Sequence, residues 1–255
     1  MPLSWVLQLV FSLTVVMAAV ICLRLGSPRH RHRQESDTLW LLTGAAFLLH
    51  GITATLQNVF GGIALARGFE SPTMATYVQW DPVMNHSRTF LMFGLMALLL
   101  VAAFRRRPVG RWFWVLAAAV LLAGLGVGAA VGVREGAFTE ANHYSAVAVW
   151  DEAELLVVFA TLLALLLSNA ADRFLWGFLG AYSASLALSV FWFLLFTKLK
   201  VPGTWHPPIW TLHAMRLAWA VIMAAFAGRA LQRRRRGQPL PGMLGPRTQM
   251  VSALR

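Results

Sequence analysis

The amino-acid sequence predicts an all-α, polytopic membrane bundle of seven transmembrane helices, with the N-terminus outside and the C-terminus cytoplasmic. Composition is the first reason: 58% of residues are hydrophobic, 13% are charged and the mean hydropathy is +0.62. A soluble domain carries about 45–50% apolar and about 25% charged residues. The second reason is that apolar runs recur at 3–23, 38–62, 86–104, 112–133, 145–168, 174–197 and 209–231. Each is close to the ~20 residues needed to cross a hydrocarbon core of ~30 Å. The third is charge segregation. The segments that follow runs 1, 3, 5 and 7 hold sixteen of the 22 Lys and Arg with only three acids, a balance of +13, whereas the opposite side carries −1. Basic residues stay on the cytoplasmic side during insertion, so this asymmetry sets the orientation and places the chain in a plasma (cytoplasmic) membrane as a multi-pass protein. The sequence pI near 11.5 then reports arginines set against anionic lipid at the cytoplasmic face and gives no reason to expect nucleic acid.

Span 1 lacks the basic leader and small-residue cleavage site of a signal peptide, so it is expected to stay as a helix. It holds the single cysteine, Cys22, which excludes an intrachain disulfide. Span 2 opens with "LWLLTGAAF" and span 6 with "LWGFLGAYS". Aligning Trp40 with Trp176 brings other landmarks into order: Trp5 and Trp150 bracket the preceding spans, "WDPVMNHSR" introduces span 3 and "WHPPIWTLHAMR" introduces span 7. These landmarks point to a parallel internal repeat, with residues 1–104 as unit A, 112–133 as a linker helix and 145–236 as unit B. The 3+1+3 layout resembles sugar-efflux transporters of the SWEET type and, more loosely, opsins and seven-helix sensor domains; the resemblance is one of layout. An opsin requires a Schiff-base lysine in its last helix, and span 7 has none, since Lys198 and Lys200 lie at the outer end of span 6.

Span 4 spaces Gly124, Gly128, Gly132 and Gly136 by four. Such a smooth face admits a second backbone closely, either from a second copy in a homodimer or membrane complex, or from span 3 or 5 of the same chain. Residues 237–255 are rich in Gly, Pro and Arg without apolar periodicity and read as a disordered cytoplasmic tail.

Polar residues are costly inside a bilayer, so their positions mark where a ligand, water or another polar group belongs. His50, Thr53 and Gln57 share one face of span 2, and Tyr182, Ser185 and Ser189 share one face of span 6. The repeat alignment pairs Thr53 with Ser189, which suggests two stripes lining one path. Near the outer ends, His86, Glu154 and His213 fall at a common depth, with Arg88, Arg216, Asp81, Asp151 and Glu152 close by. Two imidazoles and a carboxylate suit a divalent metal such as Zn²⁺ or Cu²⁺. The arginines suit an anion, Glu154 at nearly the depth of Arg216 is its best-placed acidic partner, and the same set could form a lid of ion pairs at the interface. His50, well inside its span, could ligate haem or a chlorin.

No motif names a reaction. Three functions stay open: a binding protein with an outward-facing polar intramembrane cavity, acting as carrier or sensory module through His50, Thr53, Gln57, His86, Glu154, Tyr182, Ser185, Ser189, His213 and Arg216; a metal-dependent membrane enzyme using His86, Glu154 and His213; and an accessory subunit of a larger membrane complex. The repeated stripes favour the first.

Overall fold

The computed structural model describes residues 3–27, 36–105, 110–135, 140–168, 170–194 and 208–242. They form α1 (Leu3–Gly26), α2 (Ser36–Arg67), α3 (Pro72–Ala103), α4 (Arg111–Glu135), α5 (Glu140–Ser168), α6 (Arg173–Phe193) and α7 (Ile209–Arg235), with no strand among the described residues. Six of these, all but α5, are long and apolar enough to cross a membrane. α5 carries Asp151, Glu152 and Glu154 within about one turn. The helices fit a multi-pass integral membrane protein. The face of α1 bearing Leu3, Val6, Val10, Leu13 and Met17 is exposed, as a lipid-facing stripe would be.

The main departure from the apolar runs is α3, which begins fourteen residues before the run at 86. Asp81, Pro82 and Asn85 break the hydropathy there without breaking the helix. Ser71 caps its start by accepting from the Met74 N–H at 3.2 Å, and Pro72 occupies the first turn, where no N–H is required. At ~1.5 Å per residue the helix is about 48 Å long, more than the hydrocarbon core demands. The "WDPVMNHSR" segment therefore lies within α3 and does not lead into it.

α1 packs on α2 and α7, α2 on α3, α3 on α5, α5 on α6, and α6 on α7. The six helices close a ring, and α4 stands outside it against α3. The glycine face of α4 explains that seat. A Cβ on Gly124 would lie 2.7 Å from the Phe90 carbonyl oxygen, one on Gly128 2.3 Å from the His86 carbonyl oxygen, and one on Gly132 2.5 Å from Val83 Cα. All three meet the backbone of α3. The homodimer surface read through Gly124, Gly128 and Gly132 is thus occupied by the chain's own third helix. Gly136 lies outside the described residues.

At the arginine-rich end, Arg234 of α7 pairs with Asp37 of α2 and donates to the Leu25 carbonyl of α1 at 3.0 Å. α7 ends at Arg235, and two residues on the chain turns at Gly237, whose φ of +69° suits glycine. The chain beyond it is not free: Leu240 is buried, and Pro241 O and Gly242 O accept from Arg173 N–H and Nε–H at 2.9 and 3.1 Å. This corrects the expected tail at 237–242, while 243–255 lies outside the described residues.

Asp172 holds the same end together. It caps α6 by accepting the Phe174 and Leu175 N–H groups, both at 2.9 Å, and accepts the Trp40 indole N–H at 2.6 Å across the ring. Burial pushes its carboxyl above the usual range, opposed by hydrogen bonds from Leu175 N–H and Trp40. A raised acid in the folded state contributes stability that is fully present below the unfolded value and is lost as pH rises through the folded one. Asp172→Asn keeps a capping oxygen, so the wild type should gain on this variant as pH falls from neutral through the ordinary carboxylate range. Thermal unfolding in detergent across that range reads the difference, and a difference that grows towards neutral pH would refute it. Asp172→Ala should be worse than Asn at every pH, by about 1–3 kcal/mol.

Candidate functional site

Above this seal the ring is filled by aromatic rings. Trp40, Phe47 and Phe178 have 0% exposure, with centroids 6.1 Å apart for Trp40 and Phe178, 5.1 Å for Phe47 and Phe178, and 4.9 Å for Phe47 and Tyr182, all edge to face. They form a floor. The stripe on α6 therefore does not line a path through the arginine-rich half; Tyr182, Ser185 and Ser189 border a cavity of about 350 Å³ that begins above the floor.

All six ring helices contribute to that cavity, and α4 does not. Gln8 comes from α1, His50 and Gln57 from α2, and Asp81, Asn85, His86 and Arg88 from α3. α5 gives Asp151 and Glu154, α6 the stripe just named, and α7 Arg216. An isolated charge facing lipid costs roughly 2.5–3.5 kcal/mol at the helix centre, so the inward convergence of these groups is what a membrane ring requires. Trp5 and Tyr77, 6.1 Å apart, border the cavity near the N-terminal end of α1.

The polar wall is knitted within the chain. Asp81 accepts from the Gln57 amide at 2.5 Å, the Tyr77 hydroxyl at 2.7 Å and the Asn85 amide at 3.1 Å. Arg88 donates to Asn85 Oδ1, and the Tyr182 hydroxyl donates to Glu154. Arg216 lies over the Phe11 ring at 4.9 Å, and its Nε is buried without a hydrogen-bond partner among the described residues. The Nδ1 of His50 is likewise buried without one. The His50 ring stands 6.1 Å from both the Phe47 and Tyr182 rings.

Two of the ten site residues read from the sequence sit elsewhere. Thr53 turns its hydroxyl to the Leu49 carbonyl of its own helix at 2.8 Å, the ordinary way a threonine satisfies itself in an apolar helix. His213 is buried, but it meets Gln8 of α1 through Nε2 at 2.7 Å and is absent from the cavity wall. The metal set His86, Glu154 and His213 is not assembled, and among the described residues no three His, Cys, Asp or Glu side chains are grouped to hold a metal ion. Each has a separate neighbour: His86 the Trp150 ring at 6.4 Å, Glu154 the Tyr182 hydroxyl, and His213 Gln8. Glu154 also does not pair with Arg216, the partnership that depth along the spans suggested.

Sequence reasoning missed α1. Its signal was present, because Trp5, Gln8 and Ser12 fall at i, i+3 and i+7 on one face of an otherwise apolar run. Gln8 lines the cavity, and its backbone carbonyl accepts from the Asn58 side chain at 3.1 Å. No protein-family model, no curated protein and no solved structure matches the chain.

Proposed function

We propose that the chain binds a small polar ligand inside the membrane, as a carrier or a sensory module, in the cavity reached from the side opposite the arginine-rich face. The observation that carries this reading is the convergence of one or more polar side chains from each of the six ring helices on a single cavity with an aromatic floor. A bundle held only by packing has no need to bring Gln8, Gln57, Asp81, Glu154, Ser185 and Arg216 together. Its volume falls in the ordinary range for small-molecule sites, about 300–1,000 Å³.

The order of neighbours is compatible with the duplication as well. The pairs α1–α2, α2–α3 and α3–α5 correspond to α5–α6, α6–α7 and α7–α1, an order that a two-fold axis through the ring requires and that any ring closed in chain order also has. We take residues 1–104 and 145–236 as the two units, with α4 as the linker that lets both insert in the same direction.

Cysteine accessibility tests the reading. In a Cys22→Ala background, Ser185→Cys or Ser189→Cys should react with a membrane-impermeant thiol reagent added outside, whereas Leu56→Cys, which is exposed on the ring's outer surface, should not. Reaction from the cytoplasmic side as well would identify a carrier that alternates its access. Absence of reaction at both serine positions from either side would end the proposal, and reaction only from the cytoplasmic side would overturn the orientation.

A further inference from the structure

Building on that reading, we infer that the ligand is a zwitterion of the α-amino-acid type, its carboxylate taken by Arg216 and its ammonium by Asp151. The other charged groups of the wall already have partners within the chain. Asp81 accepts three hydrogen bonds, Glu154 accepts one from Tyr182, and Arg88 donates to Asn85. Arg216 and Asp151 differ: among the described residues neither makes a hydrogen bond or an ion pair. Both line the same cavity, Asp151 from α5 and Arg216 from α7. The two charges therefore face the same space without closing on each other.

Opposite charges withdrawn from water and left apart are costly unless something polar bridges them. A simple anion on Arg216 would meet the repulsion of Asp151, and a simple cation on Asp151 would meet that of Arg216. A molecule with both charges on neighbouring atoms satisfies both. Arg216 Cζ lies 4.9 Å from the centre of the Phe11 ring, a contact that consumes no hydrogen-bond acceptor, so the guanidinium N–H groups remain to receive a carboxylate in the bidentate manner. The unpartnered Nδ1 of His50 lies in the same wall and supplies a polar contact for the ligand's side chain.

The test uses the full chain in phosphatidylcholine nanodiscs, titrated with each common α-amino acid and with the N-acetyl and amide derivatives of any that bind. At least one amino acid should raise the melting temperature saturably. Its N-acetyl derivative and its amide should each bind about tenfold or more weakly, as for loss of a charged hydrogen bond. Arg216→Gln and Asp151→Asn should each weaken the parent amino acid similarly, with Arg216→Lys as the substitute if the Gln variant does not fold and Glu152→Gln as the control. In Asp151→Asn the preference for the amino acid over its N-acetyl derivative should collapse, which a merely structural role of Asp151 would not produce. An N-acetyl derivative or an amide that binds as well as the parent refutes the zwitterion and leaves the cavity reading intact. So does a protein that ignores every amino acid while Ser185→Cys is still labelled from outside. Failure of both binding and labelling removes the cavity reading too.

Discussion

Trp40→Ala should cost about 3–5 kcal/mol of stability, the range for deleting a fully buried large aromatic. Three losses coincide. The indole is 0% exposed, its ring meets Phe178 edge to face, and its N–H is one of the donors to the buried Asp172. Lipid outside the bundle is as apolar as the side chain, so the cost comes from forfeited packing contacts and from the acid left short of a donor, with little from water. Trp40→Phe separates the two, because it keeps most of the ring and removes only the N–H. It should cost about 1 kcal/mol, the usual net value of a hydrogen bond, since the Phe174 and Leu175 N–H groups stay on Asp172. Thermal unfolding in one detergent reads both. A Trp40→Ala protein within about 0.5 kcal/mol of wild type, the scatter of a neutral surface change, would mean that the aromatic floor does not hold the ring.

Gly128→Val should displace α4 from the ring while leaving the ring itself closed. The first added carbon would sit 2.3 Å from the His86 carbonyl oxygen and 2.5 Å from Ser87 Cα, and no rotamer relieves a clash with backbone. Overpacking of this kind costs about 1–3 kcal/mol where neighbours can yield, and more where they cannot. α4 has its main seat on α3, so the strain is relieved by separation. A crosslink reports it directly. A Cβ on Gly94 approaches the Val120 side chain at 3.3 Å, so cysteines at 94 and 120, in a Cys22→Ala background, should join on oxidation. Adding Gly128→Val should abolish that disulfide, while Ser185→Cys in a separate chain keeps its labelling. Persistence of the crosslink would show that the glycine face is not what seats α4.

Six of the helices were legible in the sequence because crossing a bilayer imposes length and hydropathy on each element separately, and α5 was legible from its apolar run at 145–168 despite three acids within it. Packing partners were not, since hydropathy does not say which apolar face meets lipid and which meets another helix. The glycines of α4 pointed to close backbone approach, and the sequence left a second copy and an internal neighbour equally open; geometry assigned them to α3. For the site, the residue types on α2, α3, α5, α6 and α7 gave the cavity's approximate membership. Depth along a span failed as a guide to pairing: Glu154 and Arg216 share a level, yet the azimuth of each helix turns Glu154 to Tyr182 and sets Arg216 over Phe11. The extension of α3 was hidden by its own polar residues, which are cavity groups and not loop signals.

Closure of the ring by α1 against α7 has a consequence for how the protein is made. Among the seven helices, α1 waits for α7, because α7 supplies the neighbour of α1 and the Arg234 latch to Asp37 and Leu25. Until residue 234 has left the ribosome, the five earlier ring helices form an open trough whose acids and amides lack their final wall. Quality control that senses polar groups exposed to lipid would find its target in chains stalled between α6 and α7, and the docking of α7 would remove that target.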